Sequence, residues 1–189
     1  MRLIWDAAAK VSGVSLNSVL LKGPDQLTLL PAILFRFRLY AIAVSADIEQ
    51  MFHQLVIQPS DRNSQRFLWS DTPGGSADIY VMNVSTFGAT CSPASAQYVK
   101  NINAMQHIQQ YPRAVEGILK CHYVDDYLDS FGSESEAKKV SSEVRLVHSN
   151  GGFHLRNWRS NSEKVLIELG ESAAVDIKNL YLVRSEHLD

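Results

Sequence analysis

The stretch that most constrains this chain is Tyr123-Val124-Asp125-Asp126, inside the run KCHYVDDYLDS from Lys120 to Ser130. Two adjacent carboxylates stand between two short apolar segments, Ile118-Leu119 before and Tyr127-Leu128 after. Each flank is too short for a helix and rich in aromatic or branched residues, which predicts a strand, a tight turn and a second strand. One Asp at a turn is ordinary, because its side chain can bond its own backbone. Two at the tip of an apolar hairpin repel, and each needs solvent, a cation or a proton. A hard divalent cation such as Mg²⁺ answers that need, since it prefers carboxylate oxygens. A solvated Asp-Asp turn answers it too, so the pair alone does not decide.

The bulk of the chain sets the bounds. Its 189 residues suffice for one domain with a proper core or for two small lobes. With 46% hydrophobic and 20% charged residues the composition is globular, not disordered. A formal net charge of −2 lends no support to a nucleic-acid partner, although a local basic groove can coexist with a neutral total. Cys91 and Cys121 lack CxxC or Cys/His spacing, which predicts reduced thiols in an intracellular protein. Asp6 interrupts the N-terminus before an apolar stretch develops, so no secretory signal is expected. The most apolar region, from Leu27 to Ala46, contains Pro31, Arg36 and Arg38 and is a poor membrane span.

Read in order, Arg2 to Asp6 predicts a short buried strand, and Ser15 to Ser18 a loop. From Asp25, apolar residues at Leu27, Leu30 and Leu34 predict a helix that Pro31 could kink, with Arg36 and Arg38 near its end. Tyr40 to Ala46 predicts a strand buried on both faces. A short turn over Ile48 to His53 follows. Leu55-Val56-Ile57 then pairs with Arg66 to Trp69 as a hairpin-like unit, and Asp78 to Met82 is the next strand. Ser92-Pro93 opens a helix to about Gln109, with Ala96, Val99, Ile102 and Met105 on one face. Pro112 and Gly117 bracket a connection. Ser133 to His148 is an amphipathic helix whose Ser133 and Glu136 fit a capping box. Phe153 to Arg159 and Lys164 to Leu169 predict two further strands.

Asp47 follows directly on the buried run Ile42-Ala43-Val44-Ser45-Ala46. If the Asp125-Asp126 hairpin packs beside that strand, three carboxylates converge at one sheet edge. Such a site can hold two Mg²⁺ ions about 4 Å apart, one lowering the pKa of an attacking hydroxyl and the other stabilising a leaving group. The protein's part in phosphoryl transfer is mainly positioning and charge neutralisation, which needs no His or Lys base.

These residues carry a resemblance. YVDD in a hairpin, with an upstream Asp47 followed five positions later by Phe52, resembles the palm of reverse transcriptases. The block NVSTFGATCSPASAQ, from Asn83 to Gln97, resembles their next palm segment. Longer strings are similar to the Bel/Pao class of LTR retrotransposons: Ala46 to Phe52, Asp61-Arg62 with Arg66 to Trp69, Phe87 to Pro93, Tyr123 to Ser130, and Gly151 to Leu155 with Trp158 to Asn161. The resemblance runs through nearly the whole chain in collinear order.

It implies an α+β fold: a right-hand polymerase palm, an antiparallel sheet with helices packed on one face, with partial fingers. Residues 1–40 and 54–80 would be fingers, and 41–53 and 81–189 palm. The activity implied is RNA-directed and DNA-directed DNA polymerase, adding dNTPs to a primer 3′-OH with two Mg²⁺ ions, or Mn²⁺ as a substitute. By the same resemblance Asp47 and Asp125 are the principal metal ligands, Asp126 is the weaker third, and the Ile48 carbonyl is a further ligand. Phe52 falls at the steric-gate position, where a large ring excludes the ribose 2′-OH. Phe87 and Gly88 would lie under the incoming nucleotide, with Gly88 permitting close approach. Arg2 would hold the triphosphate, and Arg156 or Arg159 would approach its phosphates. His53, His122 and His154 have no metal spacing and are read as structural or solvated.

Implied partners are an RNA or DNA template with its primer, dNTPs and the rest of a retrotransposon polyprotein, namely protease, ribonuclease H and integrase. A cytoplasmic location in virus-like particles goes with them, without membrane or secretion. Measured against the family, an upstream fingers hairpin, thumb, connection and ribonuclease H are expected to be absent, and with them much of the basic template surface. A truncated or degraded element copy, folded but without chemistry, is the main rival. A metal-dependent phosphohydrolase would leave Phe52 and Phe87-Gly88 unaccounted for.

Overall fold

The computed structural model of the protein describes residues 4–171. Its elements in chain order are α1 (Leu16–Val19), α2 (Leu30–Phe37), β1 (Ile42–Ile48), 3₁₀ turns at Met51–Gln54 and Arg62–Gln65, β2 (Arg66–Trp69), β3 (Asp78–Val81), α3 (Ser92–Gln106), α4 (Pro112–Lys120), β4 (His122–Tyr123), β5 (Asp126–Phe131), α5 (Glu134–Asn150), β6 (Leu155–Ser160) and α6 (Glu163–Glu168). As far as the described residues reach, they form two compact units, one of Met1–Leu27 with Gln50–Ile102 and one of Thr28–Glu49 with Asn103–Asp189. No helix among the described residues is long and apolar enough to cross a membrane.

The second unit is built on an antiparallel four-stranded sheet in the order β4-β5-β1-β6. Side chains alternate across it, as a pleated strand requires. Val44, Ala46, Tyr127, Phe131 and Trp158 are buried in one cluster with Val115 and Ile118 of α4, Val140, Val144 and Val147 of α5, and Val165 of α6. α2 also packs against β5. Ser130, which alternates with Asp129 and Phe131, donates from Oγ to the Arg36 carbonyl at 2.7 Å. β1 is buried unequally, with Val44, Ala46 and Ile48 enclosed and the alternating Ala43, Ser45 and Asp47 only partly so. The expectation of a strand buried on both faces is corrected: the alternation encloses one face and leaves the other partly open along its length.

α5 matches its sequence pattern. Ala137, Val140, Val144 and Val147 are buried, and Ser133 caps the helix by accepting from the Glu136 N–H. The reciprocal bond differs from a capping box, since Glu136 Oε2 accepts from the Gly132 N–H. The expected connection at Pro112 to Gly117 is instead α4, with Pro112 in its first turn, where the missing N–H does no harm. Ile118 and Leu119 therefore belong to a helix, and the strand before the acidic turn shrinks to His122–Tyr123. The segment expected as a strand at Lys164 to Leu169 is largely α6. Its buried Val165, Leu166 and Leu169 recur at helical, not alternate, spacing.

In the first unit β2 pairs with β3, Arg66 opposite Val81 and Trp69 opposite Asp78. The Thr72-Pro73-Gly74-Gly75 loop thus joins a hairpin, and the expected pairing of Leu55-Val56-Ile57 with β2 is replaced by an isolated bridge from Val56 to Val84. Ser15 to Ser18, expected as loop, forms the start of α1, where the Ser15 and Ser18 side chains cap each other's backbone N–H. α2 begins at Leu30, with Pro31 in its first turn and no kink to explain. The expected buried strand at Arg2 to Asp6 reduces, in its described part, to one bridge from the exposed Ile4 to Phe87. α3 buries Ala96 as expected, but with Gln97, Lys100 and Ala104, while Val99, Ile102 and Met105 of the expected face stay exposed. Burial lowers the Lys100 ammonium to about 7.

Candidate active site

The acidic residues are placed by backbone pairing. β1 and β5 are aligned so that Asp47 lies directly opposite Asp126, and the Ile48 N–H donates to the Asp125 carbonyl at 2.9 Å. β4 pairs with β5 through His122 opposite Tyr127 and Tyr123 opposite Asp126, leaving Val124 and Asp125 as a two-residue turn. Val124 sits at φ +55°, a left-handed conformation that a β-branched side chain adopts only when its surroundings enforce it. β1 is an interior strand, so the carboxylates gather at strand ends and not at a sheet edge.

Asp47, Asp126, Ser45, Leu128, Asn157 and Arg159 line a cavity of about 320 Å³. The Asp126 carboxyl is held above the usual carboxylate range, first by partial burial and then by the negative charges of Asp125 and Asp47. The three carboxylates therefore share one electrostatic neighbourhood. Oxygen donors of this kind suit a hard divalent cation. Their convergence is partial, however. Among the described residues no group of three or more His, Cys, Asp or Glu is drawn together as a metal cage.

Both Asp47 oxygens are engaged from β6. Arg156 donates from Nε to Oδ2 at 3.1 Å and Asn157 from Nδ2 to Oδ1 at 2.6 Å, while Arg156 Nη1 reaches Glu49 Oε1 at 3.0 Å. Two successive strand residues normally point to opposite faces. Here the β1–β6 register slips between Ser45 and Asp47, which pair with Arg159 and Arg156, and Asn157 takes φ +52°. That bulge turns both side chains toward Asp47 and lets Trp158 return to the core. The Asp47 hydrogen bond, foremost, raises the Arg156 guanidinium further above its usual range.

Behind the acidic turn lies a second network. Asp129, 3% exposed, accepts a two-pronged bond from Arg113 at 2.9 and 3.0 Å, and a bond from Tyr127 Oη at 2.9 Å. Burial, then the charge of Asp129, keeps the Tyr127 hydroxyl protonated. Gly117 of α4 makes room for these groups, because a Cβ there would stand 3.0 Å from Asp129 Oδ2 and 3.2 Å from Tyr127 Oη. His122 is buried with its ring against Tyr127 and His148, in line with a structural role. Both cysteines are free thiols.

Three further candidates belong to the first unit. Phe52 lies in the 3₁₀ turn Met51–Gln54 and packs its ring on Phe87, centroids 4.8 Å apart. Gly88 has φ +104°, and a Cβ at that position would strike the Trp5 carbonyl, so its own backbone contact already demands glycine. Asn17 braces the same turn, donating to the Gly88 carbonyl at 3.0 Å and accepting from the Thr90 N–H at 2.8 Å. Arg2 lies outside the described residues. Asn157, Arg113 and Asp129 were not singled out by sequence. The only trace of the bulge was Leu155-Arg156-Asn157-Trp158, where strict alternation would set Asn157 beside Leu155 and Arg156 beside Trp158.

No protein-family model and no curated protein matches the chain. Its fold is similar to that of a solved foamy viral protease-reverse transcriptase in complex with double-stranded DNA, with a TM-score of 0.62 at 18% identity. The match covers 82% of this chain and 23% of that one, so the chain spans about a quarter of the structure it resembles. The fold is therefore reverse-transcriptase-like.

Proposed function

We propose that the chain is the DNA polymerase core of a Bel/Pao-like retrotransposon, a palm with part of the fingers, that extends a primer on an RNA or DNA template. The observation that carries this is the direct opposition of Asp47 and Asp126 at the open end of β1 and β5, with Asp125 in the adjoining turn. A reverse-transcriptase-like fold around that arrangement supports it. Asp47, Asp125 and Asp126, with the Ile48 carbonyl, would hold two Mg²⁺ ions. When bound, these would supply charge neutralisation at the transferred phosphorus and a lowered pKa at the primer hydroxyl. Phe52, buttressed by Phe87, would exclude the ribose 2′-OH, and Phe87-Gly88 would underlie the base. Arg159, lining the acidic cavity, is suited to a phosphate. Protease, ribonuclease H and integrase would be its neighbours in a polyprotein.

The test is primer extension on RNA and DNA templates by the parent polyprotein with dNTPs and Mg²⁺. Asp125→Asn is expected to slow extension roughly a hundredfold or more. Equal rates for wild type and variant would sink the proposal. A second reading, a folded element copy without polymerase activity, is favoured by one observation: Arg156 and Asn157 occupy both Asp47 oxygens. Absence of extension under every Mg²⁺ and Mn²⁺ condition, by a polyprotein that still binds primer-template, would support that second reading.

A further inference from the structure

The geometry points to Arg156 as an internal counter-cation that competes with a divalent metal for Asp47 Oδ2, and to Asn157 as a positioning residue that orients the same carboxylate. This rests on the proposed metal reading of the acidic site. It adds two residues that act on that site from β6.

The bulge is the first support. An unbroken strand would place only one of Arg156 and Asn157 on the Asp47 side. The register slip and the left-handed Asn157 bring both there, and Asn tolerates that conformation better than most residues. Such a distortion is retained where it re-aims a side chain. The bonds are the second support. Asn157 is neutral and takes Oδ1, so it fixes the carboxylate without adding charge. Arg156 takes Oδ2 and keeps a second anchor on Glu49. Asp47 Oδ2 would be the oxygen for which a metal ion and the guanidinium compete, and Arg156 has Glu49 as its second anchor. Exposure is the third. The Arg156 side chain is 44% exposed and that of Asp47 25%. Ion pairs this open are weak, so the guanidinium is displaceable and not a permanent plug.

Mn²⁺ alone serves as the probe, titrated into the full chain and followed by calorimetry and by the paramagnetic signal of the free ion, without nucleic acid. Arg156→Gln removes the competing charge and is expected to bind Mn²⁺ about fivefold more tightly than wild type. Arg156→Lys keeps the charge and is expected to stay near wild-type affinity. Asn157→Gly preserves the left-handed backbone but removes the amide, and is expected to weaken binding about tenfold. Asp47→Asn sets the baseline for loss of the site. Opposite shifts in the Gln and Gly variants are what a merely structural bulge would not produce. Unchanged or weaker binding by Arg156→Gln overturns the counter-cation role and leaves the metal reading intact. Should Arg156→Gln fail to fold, Arg156→Lys decides, since markedly tighter or weaker binding with the charge retained overturns it. If wild type and Asp47→Asn are alike in binding no Mn²⁺, the metal reading and this inference fall together.

Discussion

Asp47 and Asp126 face each other directly across the β1–β5 pair, two carboxylates at a position where cross-strand side chains are neighbours. Like charges so placed are unfavourable, and Asp126 responds with a raised pKa, caused first by partial burial and then by Asp125 and Asp47. The sign of the effect follows. A carboxyl whose folded pKa exceeds its unfolded value favours the folded state when protonated. That contribution is complete below the ordinary carboxylate pKa and is lost as pH rises through the raised one. Asp126→Asn is therefore expected to melt about 1–3 °C above wild type at neutral pH, without added metal. The gap should close as the pH falls into the carboxylate range. Melting curves of the two proteins between acid and neutral pH check this. A lower Tm for the variant at neutral pH would show that Asp126 is held by a favourable partner instead.

Gly88 shows how a residue can be required for two different reasons. Close approach of a nucleotide was expected to demand glycine there, yet the Trp5 carbonyl and a φ of +104° demand it already within the first unit. Gly88→Ala is expected to destabilise the fold by about 2–3 kcal/mol, through backbone strain and a clash with main chain that cannot swing away. Chemical denaturation measures it. Unchanged stability in this variant would overturn the structural demand and leave only the proposed nucleotide-facing one.

Much of the site was legible because it rests on local pattern. The run Ile42 to Ala46 could be little but a buried strand, and it put Asp47 at its end. A tight turn beside the acidic pair is legible from the short apolar flanks, but it falls at Val124-Asp125 and not at Asp125-Asp126, since Asp126 already pairs with Tyr123 as the first residue of β5. α5 announces itself through Ser133 and four valine or alanine positions. Three features were not legible, each for a physical reason. Pairing partners depend on contacts distant in sequence, so β2 was matched to Leu55-Val56-Ile57 and not to β3. Short apolar segments suit helix and strand alike, so α6 was read as a strand and α4 as a connection. A bulge changes which face a residue occupies without changing composition, so the sequence offers Arg156 and Arg159 alike for a phosphate and gives no sign that Arg156 and Asn157 both grip Asp47.

Asp129 makes the strongest case for a residue that supports the site without belonging to it. It is two residues beyond Tyr127 and three beyond Asp126, on the buried face of β5. Arg113 forks onto both its oxygens and lies over the Phe131 ring at 5.1 Å, and Tyr127 donates to Oδ2. Burial acts to lower the Arg113 pKa, but the hydrogen bond and charge of Asp129 outweigh it and raise the value, so the guanidinium stays charged. Removing Asp129 strands that half-buried cation together with a fully buried hydroxyl. Breaking such a pair from one side is more harmful than replacing both partners. Asp129→Ala is accordingly expected to lose about 3 kcal/mol, whereas Asp129→Ala with Arg113→Met should recover part of that loss. A double-mutant cycle by urea denaturation gives the coupling directly. Strict additivity of the two substitutions would mean that the network adds nothing beyond packing. Strong coupling, with Mn²⁺ affinity falling alongside stability in Asp129→Ala, would tie the anchoring of β5 to the placement of Asp125 and Asp126 in the turn before it.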